Sequence, residues 1–319
     1  MKMSLLQIQD LTTHFFMKQG TVRAVDGVDL SLNSGHVLGV AGESGSGKST
    51  MAYSIMRLIP PPGRIVHGEV LLEGRDILRL SDEEVRRDIR WKKISLVFQG
   101  AMNALNPLIT IGNQIAEPII LHKGLGKREA IEKASELLRL VGIDPGRVNN
   151  YPFELSGGMK QRTMIAMAMA CDPEIIIADE PTTALDVIVA ADIMNLIKDL
   201  QTKNNLSMIL ITHDLSVIAQ TCHEVVIMYA GKVVESGSVL SVFENAAHPY
   251  TTELIGAFPS IRGAKKELKA IKGNPPDLIE PPPGCRFHPR CRFANVVCAS
   301  KEPEFNEVGK DHYAACHLL

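Results

Sequence analysis

The nine residues Gly42-Glu43-Ser44-Gly45-Ser46-Gly47-Lys48-Ser49-Thr50 put three glycines ahead of a lysine and two hydroxyls. Glycines free the backbone to turn successive N–H groups toward phosphate oxygens, and a helix beginning at Lys48 would add its positive dipole end. Lys48 is then placed to reach β and γ phosphates, and Ser49 to ligate Mg²⁺. The glycine-rich turn is not isolated. An apolar run, His36 to Ala41, leads into it and the helix-compatible MAYSIMRL follows, which is the strand, loop and helix order a phosphate-binding loop requires.

A second set of groups suits the same chemistry. Ile175-Ile176-Ile177-Ala178 is an apolar strand ending in Asp179 and Glu180, and the carboxyl ends of strands in α/β sheets are where ligands sit. Asp179 is expected to hold Mg²⁺ and Glu180 to polarise the water that attacks a γ-phosphate. Between the two sets lies Leu155-Ser156-Gly157-Gly158-Met159-Lys160-Gln161-Arg162, ahead of an Ala/Met-rich helix. Ser156 is a good N-cap and the two glycines leave backbone N–H groups uncovered, so this is a second anion-binding helix start.

The third set is at the far end. Cys285, Cys291, Cys298 and Cys316 have five, six and seventeen residues between them. Structural zinc usually takes tighter cysteine pairs, whereas an iron-sulfur cube is large enough to accept wider spacing. Iron-sulfur cluster, zinc and no metal at all stay open on spacing alone, with His288, His312 and His317 as reserve zinc ligands. Cys171 and Cys222 are isolated and read as small buried hydrophobes.

The elements that must position these groups read as an α/β body with an appendage. Short apolar runs (His36 to Ala41, Ile94 to Phe98, Ile175 to Ala178, Met208 to Ile211, Val225 to Met228) alternate with helical patterns, including Ile111 to His122 and Lys127 to Val141. Several runs are apolar throughout, as buried parallel strands must be. Gly273 to Gly284 carries five prolines in twelve residues and reads as an extended linker. From Arg262 to Lys301 nine Lys/Arg face three Asp/Glu, about +6, leaving about −8 on the remainder of a chain whose formal net charge is −2. The whole, 319 residues with 45% apolar and 22% charged, is long enough for roughly two domains and excludes general disorder or generic polyanion binding. No apolar stretch approaches the ~18 residues of a membrane span, and the first residues carry no signal-peptide h-region, so a cytoplasmic location with reduced thiols is expected.

With the motifs in this order, LSGGMKQR resembles the signature sequence of ATP-binding-cassette (ABC) ATPases. The resemblance implies a P-loop α/β cassette with a RecA-like core, an antiparallel β subdomain and a helical subdomain at about 101–158. It implies that Leu155, Ser156, Gly157, Gly158 and Met159 complete the ATP site of an opposing subunit. It also matches Gln99 to the glutamine that senses Mg²⁺ and γ-phosphate, so that Ser49, Gln99 and Asp179 would share the metal. Thr183-Ala184-Leu185-Asp186 matches the D-loop, His213 the γ-phosphate switch histidine, and Phe15 the aromatic that stacks on adenine, with Phe16 beside it. After Gln99 the chain reads Gly100-Ala101-Met102 where relatives usually have an acidic residue and proline.

His248-Pro249-Tyr250-Thr251, the proline-rich linker and Gly284-Cys285-Arg286-Phe287-His288-Pro289-Arg290-Cys291 are similar to the C-terminal extension of dipeptide/oligopeptide importer ATPases. That divides the chain into a nucleotide-binding domain, 1–250, and a small irregular cysteine-rich extension, 251–319. The subfamily resemblance implies a 4Fe-4S cluster on Cys285, Cys291, Cys298 and Cys316. It further implies an ATPase at the cytoplasmic face of the cell membrane, paired with a second ATPase subunit, identical or different. Two transmembrane permease subunits and, indirectly, an extracytoplasmic solute-binding protein would be its partners. Nickel or another small solute is an alternative cargo. A soluble cassette ATPase acting on nucleic acid or ribosomes would carry coiled-coil insertions or a second cassette, and neither is present, so no nucleic-acid partner is expected. An iron-sulfur redox protein would not need the ATPase motifs.

Overall fold

The computed structural model describes residues 4–100, 104–257 and 271–319. Ala101 and Met102, which depart from the family pattern, and Arg262, where the basic stretch begins, lie outside the described residues. The chain forms two compact units, Met1–Leu78 with Leu210–Leu319, and Arg79–Ile209.

The first unit opens with an antiparallel sheet. β1 (Leu6–Met17) pairs with β2 (Gly20–Leu32) and with β4 (Gly63–Leu72), which pairs with the short β5 (Arg75–Asp76). Alternating buried and exposed residues at the start of β1 mark a sheet with one face on the core. In chain order β2 is followed by β3 (Val37–Ala41) of a second sheet, buried at all five positions, which runs through the glycine-rich loop into helix α1 (Lys48–Ile55).

The second unit contains β6 (Ile94–Val97), helices α2 (Ile111–Lys123), α3 (Lys127–Leu140) and α4 (Gly157–Ala168), β7 (Ile175–Asp179) and α5 (Val187–Asn204). β6 and β7 pair in parallel from Ile94↔Ile175 to Val97↔Ala178, and both are fully buried strands. The chain leaves this unit within β8 (Ser207–Ile211).

Back in the first unit come α6 (Leu215–Thr221), β9 (Glu224–Tyr229), β10 (Lys232–Ser238), α7 (Val239–Glu244), α8 (Pro249–Gly256), α9 (Val296–Ser300), β11 (Phe305–Gly309) and β12 (His312–Ala315). β3 pairs in parallel with β9, and β9 antiparallel with β10. The tail is less irregular than its composition suggests. Its hairpin β11–β12 joins the same sheet through β12 against β10, with Glu235↔Ala314 and Gly237↔His312 in register.

The tail is also packed. Phe287 is 1% exposed and its ring lies 5.2 Å from Tyr229, 5.4 Å from Tyr250 and 5.8 Å from His248. Glu235, buried in β10, accepts from His312 Nε2 and from the backbone N–H groups of Ala247 and His248, so its charge is satisfied inside the sheet. The proline-rich segment crosses β2, where Arg23 N–H donates to Leu278 O. Among the described residues no helix is long and apolar enough to cross a membrane.

Candidate phosphate site and cysteine tail

The loop after β3 is shaped to take an anion. Gly47 is the N-cap of α1 with φ of 101°, a left-handed conformation that L side chains avoid, and a Cβ there would lie 2.2 Å from Ala24 O. No side chain caps α1 and its first turn has no acidic residue, so the dipole end is not neutralised locally. Ser44 and Gly45 are exposed at the tip and Ser46 is buried. Lys48 is 6% exposed, and its ammonium donates to Gly42 O and Glu43 O, both at 2.8 Å, and to Ser46 Oγ at 3.2 Å. Ser49 and Thr50 follow in the first turn of α1.

His213 belongs to the same unit and is exposed just beyond β8. Thr212 N–H donates to Val40 O, which sets His213 at the edge where β3 runs into Gly42. Asp214 N–H donates to Thr212 Oγ1, and its carboxylate caps α6 by accepting from Ser216 N–H, so the backbone on both sides of His213 is pinned. The two phenylalanines differ. Phe15 is half-buried and its ring fills the space beside Gly63, whereas Phe16 is 46% exposed with the Arg64 guanidinium over its ring.

In the second unit β7 delivers Asp179, fully buried, and then Glu180 with φ of 46°. A positive φ at a non-glycine residue costs of order 1 kcal/mol; here it turns the side chain off the strand direction. Glu180 Oε2 accepts from Gln99 Nε2 at 2.9 Å and from Thr183 Oγ1 at 2.8 Å, so glutamine, glutamate and threonine form one hydrogen-bonded set. Asp186 caps α5 by accepting from Val189 N–H. Ser156 caps α4 by accepting from Met159 N–H at 3.3 Å, with Leu155 buried before it and Gly157 opening the helix. Gly158 has a steric reason to be glycine: a Cβ would lie 2.6 Å from Val189 Cγ1 on α5.

The four tail thiols are free. Burial pushes Cys285 up to about 11 and raises Cys291 and Cys316, and the charges of neighbouring tail cysteines add to each rise. These cysteines therefore lie close enough to feel one another. Among the described residues, however, no three Cys, His, Asp or Glu side chains form a group that could hold a metal ion, so the expected iron-sulfur or zinc ligation finds no support in this arrangement. The reserve histidines are engaged elsewhere: His312 with Glu235, His288 with Cys285 O and His317 with Lys301 O. Cys171 and Cys222 are pushed by burial to about 11 and about 12, as inert packed thiols should be.

What the sequence did not signal is how the tail meets the phosphate loop. Tyr250 Oη accepts from Glu43 N–H at 2.8 Å, and Arg290 pairs with the Glu43 carboxylate. Arg286 bridges Asp26 and Ala230 O. HPYT and the arginines were visible as types; their targets, some two hundred and fifty positions away for Arg290, were not.

Two families match this chain: "ABC transporter" over residues 25–183 and "Oligopeptide/dipeptide transporter, C-terminal region" over 234–298. A probable peptide ABC transporter ATP-binding protein, y4tR of Sinorhizobium fredii, is 48% identical over 98% of this chain and 94% of its own length. The oligopeptide transport ATP-binding protein OppD of Bacillus subtilis is 46% identical over 99% of this chain and 89% of its own length. The dipeptide transport ATP-binding protein DppD of Escherichia coli is 43% identical, over 99% and 97%. The dimeric bacterial ABC transporter cassette MJ0796 superposes with a TM-score of 0.66 at 32% identity, covering 73% of this chain and 98% of that cassette.

Proposed function

The chain belongs to the ABC transporter family, in its oligopeptide/dipeptide branch, and on that premise we propose that it is the ATP-hydrolysing subunit that powers import of di- and oligopeptides. The observation that carries this reading is the coincidence of a near-full-length likeness to peptide-transport ATP-binding proteins with an uncapped, glycine-shaped helix start that holds a buried lysine.

Each group has a role in that reaction. The N–H groups of the loop other than those of Glu43 and Ser46, which donate to Tyr250 Oη and to Glu43 O, bind the β and γ phosphates together with the Lys48 ammonium. Phe15, or its more exposed neighbour Phe16, stacks on adenine. Ser49, Gln99 and Asp179 would hold Mg²⁺, and an all-oxygen donor set suits that hard cation. The metal, when bound, neutralises charge on the phosphates. Glu180 accepts a proton from the attacking water; its hydrogen bonds to Gln99 and Thr183 fix the carboxylate for that task. His213 donates to the γ-phosphate. Leu155 to Met159 of one subunit serve the nucleotide of a second ATPase subunit, with Asp186 ordering the adjoining helix start. Two transmembrane permease subunits receive the closure, which places the work at the cytoplasmic face of the membrane, and a solute-binding protein delivers cargo from outside.

The finer reading of the tail is a 4Fe-4S cluster on Cys285, Cys291, Cys298 and Cys316. Its support is the presence of four thiols in one short tail, although the described residues form no group that could hold a metal ion; no step of ATP hydrolysis runs through it. Iron and acid-labile sulfide in anaerobically purified protein, with absorbance near ~400 nm lost in Cys291→Ser, is the expected outcome; colourless protein free of iron removes the cluster.

The ATPase reading is tested by Glu180→Gln in the transporter reconstituted with its permeases. Turnover should fall by about a hundredfold or more while nucleotide binding persists. Unchanged hydrolysis would remove Glu180 from its role, and failure to co-purify with membrane permeases would overturn the transport reading.

A further inference from the structure

The phosphate loop leaves its helix start uncapped, yet Glu43, the second residue of the loop, is held from every side. Its N–H donates to Tyr250 Oη at 2.8 Å. Its carbonyl accepts from Lys48 at 2.8 Å and from Ser46 N–H at 3.2 Å. Its carboxylate is gripped by both arms of Arg290, Nη1 to Oε2 at 2.6 Å and Nη2 to Oε1 at 3.0 Å.

Arg290 is built for one position. The side chain is 5% exposed and lies over the rings of Tyr229 and Phe287. A guanidinium has five N–H donors, and each has an acceptor here. Nε donates to Lys272 O, Nη1 to Glu43 and to Tyr229 Oη, Nη2 to Glu43 and to Gly273 O. A buried guanidinium so completely satisfied cannot shift without stranding several partners at once.

We infer that Arg290, together with Tyr250, is a positioning residue for ATP binding, by which the C-terminal tail sets the orientation of the phosphate loop through Glu43. This rests on the ATPase reading above. The physical link is the planar trans peptide between Glu43 and Ser44. Because the Glu43 carbonyl is turned toward Lys48, the Ser44 N–H must point the opposite way, to the exposed tip of the loop. Fixing Glu43 at its N–H and at its carboxylate therefore fixes where the Lys48 ammonium rests and where the Ser44 N–H is aimed. Arg286 supports the same loop from a second point. It pairs with Asp26 and with Ala230 O, Asp26 N–H donates to Gly231 O, and Gly231 N–H donates to Ser46 O. Preorganised donors are the ones that bind a phosphate without reordering cost.

The experiment compares wild type, Glu43→Gln, Arg290→Lys, Arg290→Gln and the Glu43→Gln/Arg290→Gln double variant. Two measurements are made on the full chain: affinity for a fluorescent ATP analogue on the purified protein, and KM against kcat for ATP in the reconstituted transporter. Arg290→Gln and Glu43→Gln should each weaken nucleotide affinity and raise KM by about tenfold, with kcat within about twofold. The double variant should be no worse than either single change, because both remove one interaction. Arg290→Lys, which keeps charge but loses the two-armed grip, should fall between. Unchanged affinity in both single variants, or additive losses in the double one, would overturn the inference. So would losses that follow the thermal midpoint alone, since a tail that merely stabilises the fold would not alter KM in a correctly folded protein. Should Arg290→Gln fail to fold, Glu43→Gln, on the partly exposed loop, carries the same test. Wild-type protein that binds nucleotide but hydrolyses none in the transporter would sink the ATPase reading and leave the affinity comparison standing.

Discussion

Two helices of this molecule begin with glycines at a place fit for an anion, and they are built differently. α4 is self-contained: Ser156 immediately before it accepts from Met159 N–H, so sequence neighbours complete its first turn. α1 has no such cap. The loop that leads into it is steadied instead by Tyr250 and Arg290, residues far along the chain. A helix start capped by its own N-cap side chain is completed by sequence neighbours, whereas the uncapped one draws its support from residues far along the chain.

The strongest way to break this contrast is to remove the support. Phe287→Ala deletes the ring that anchors the tail among Tyr229, Tyr250 and His248, at a cost of about 3–5 kcal/mol to stability. Calorimetry should show the loss, and ATP affinity at α1 should fall with it; intact affinity in the folded variant would mean that α1 does not depend on the tail.

Acid should act on the same support with slightly smaller effect. Burial lowers the His248 pKa from 6.5 to about 4, and the neutral ring caps α8 by accepting from Tyr250 N–H through Nδ1. The unfolded chain binds this proton first, so the contribution is fully present above pH ~6.5 and is lost as pH falls toward ~4, amounting to about 3 kcal/mol. Thermal midpoints near pH ~7.5 and ~4.5 should separate wild type from His248→Asn, which keeps an acceptor that does not titrate. Equal pH dependence in the two proteins would exclude His248 as the cause.

The smallest change sharpens the other side. Ser156→Ala should cost about 1 kcal/mol through the lost cap and leave ATP affinity at α1 in the single chain unchanged. A loss of affinity comparable to that from Phe287→Ala would erase the distinction between the two helix starts.

The parts of the site legible in sequence are the local ones. The loop from Gly42 to Thr50, the cap at Ser156 and the carboxylates after Ile175–Ala178 are each set by neighbours a few positions away, and the expected buried strands end within a residue or so of those observed. The helices from Ile111 and Lys127 are likewise where their apolar spacing puts them. The hairpin β11–β12 was hidden because Phe305–Gly309 is mostly exposed and carries little apolar pattern. Arg290 reads as one of several arginines near cysteines; its acceptors are supplied by Lys272 and Gly273 where the linker begins, by β9 and by the phosphate loop, and no local rule brings these together. Gln99 bonded to Glu180 is a similar case, since each was recognisable but their pairing was not.

The pairing of β12 with β10 has a consequence for biosynthesis. Until the segment through Ala315 has emerged from the ribosome, β10 is an unpaired edge and Glu235 lacks His312, so the nascent chain carries an open strand that can pair with another copy. Shortened chains ending after α8 should therefore be recovered in inclusion bodies or bound to chaperones, even though every ATPase motif has already been made.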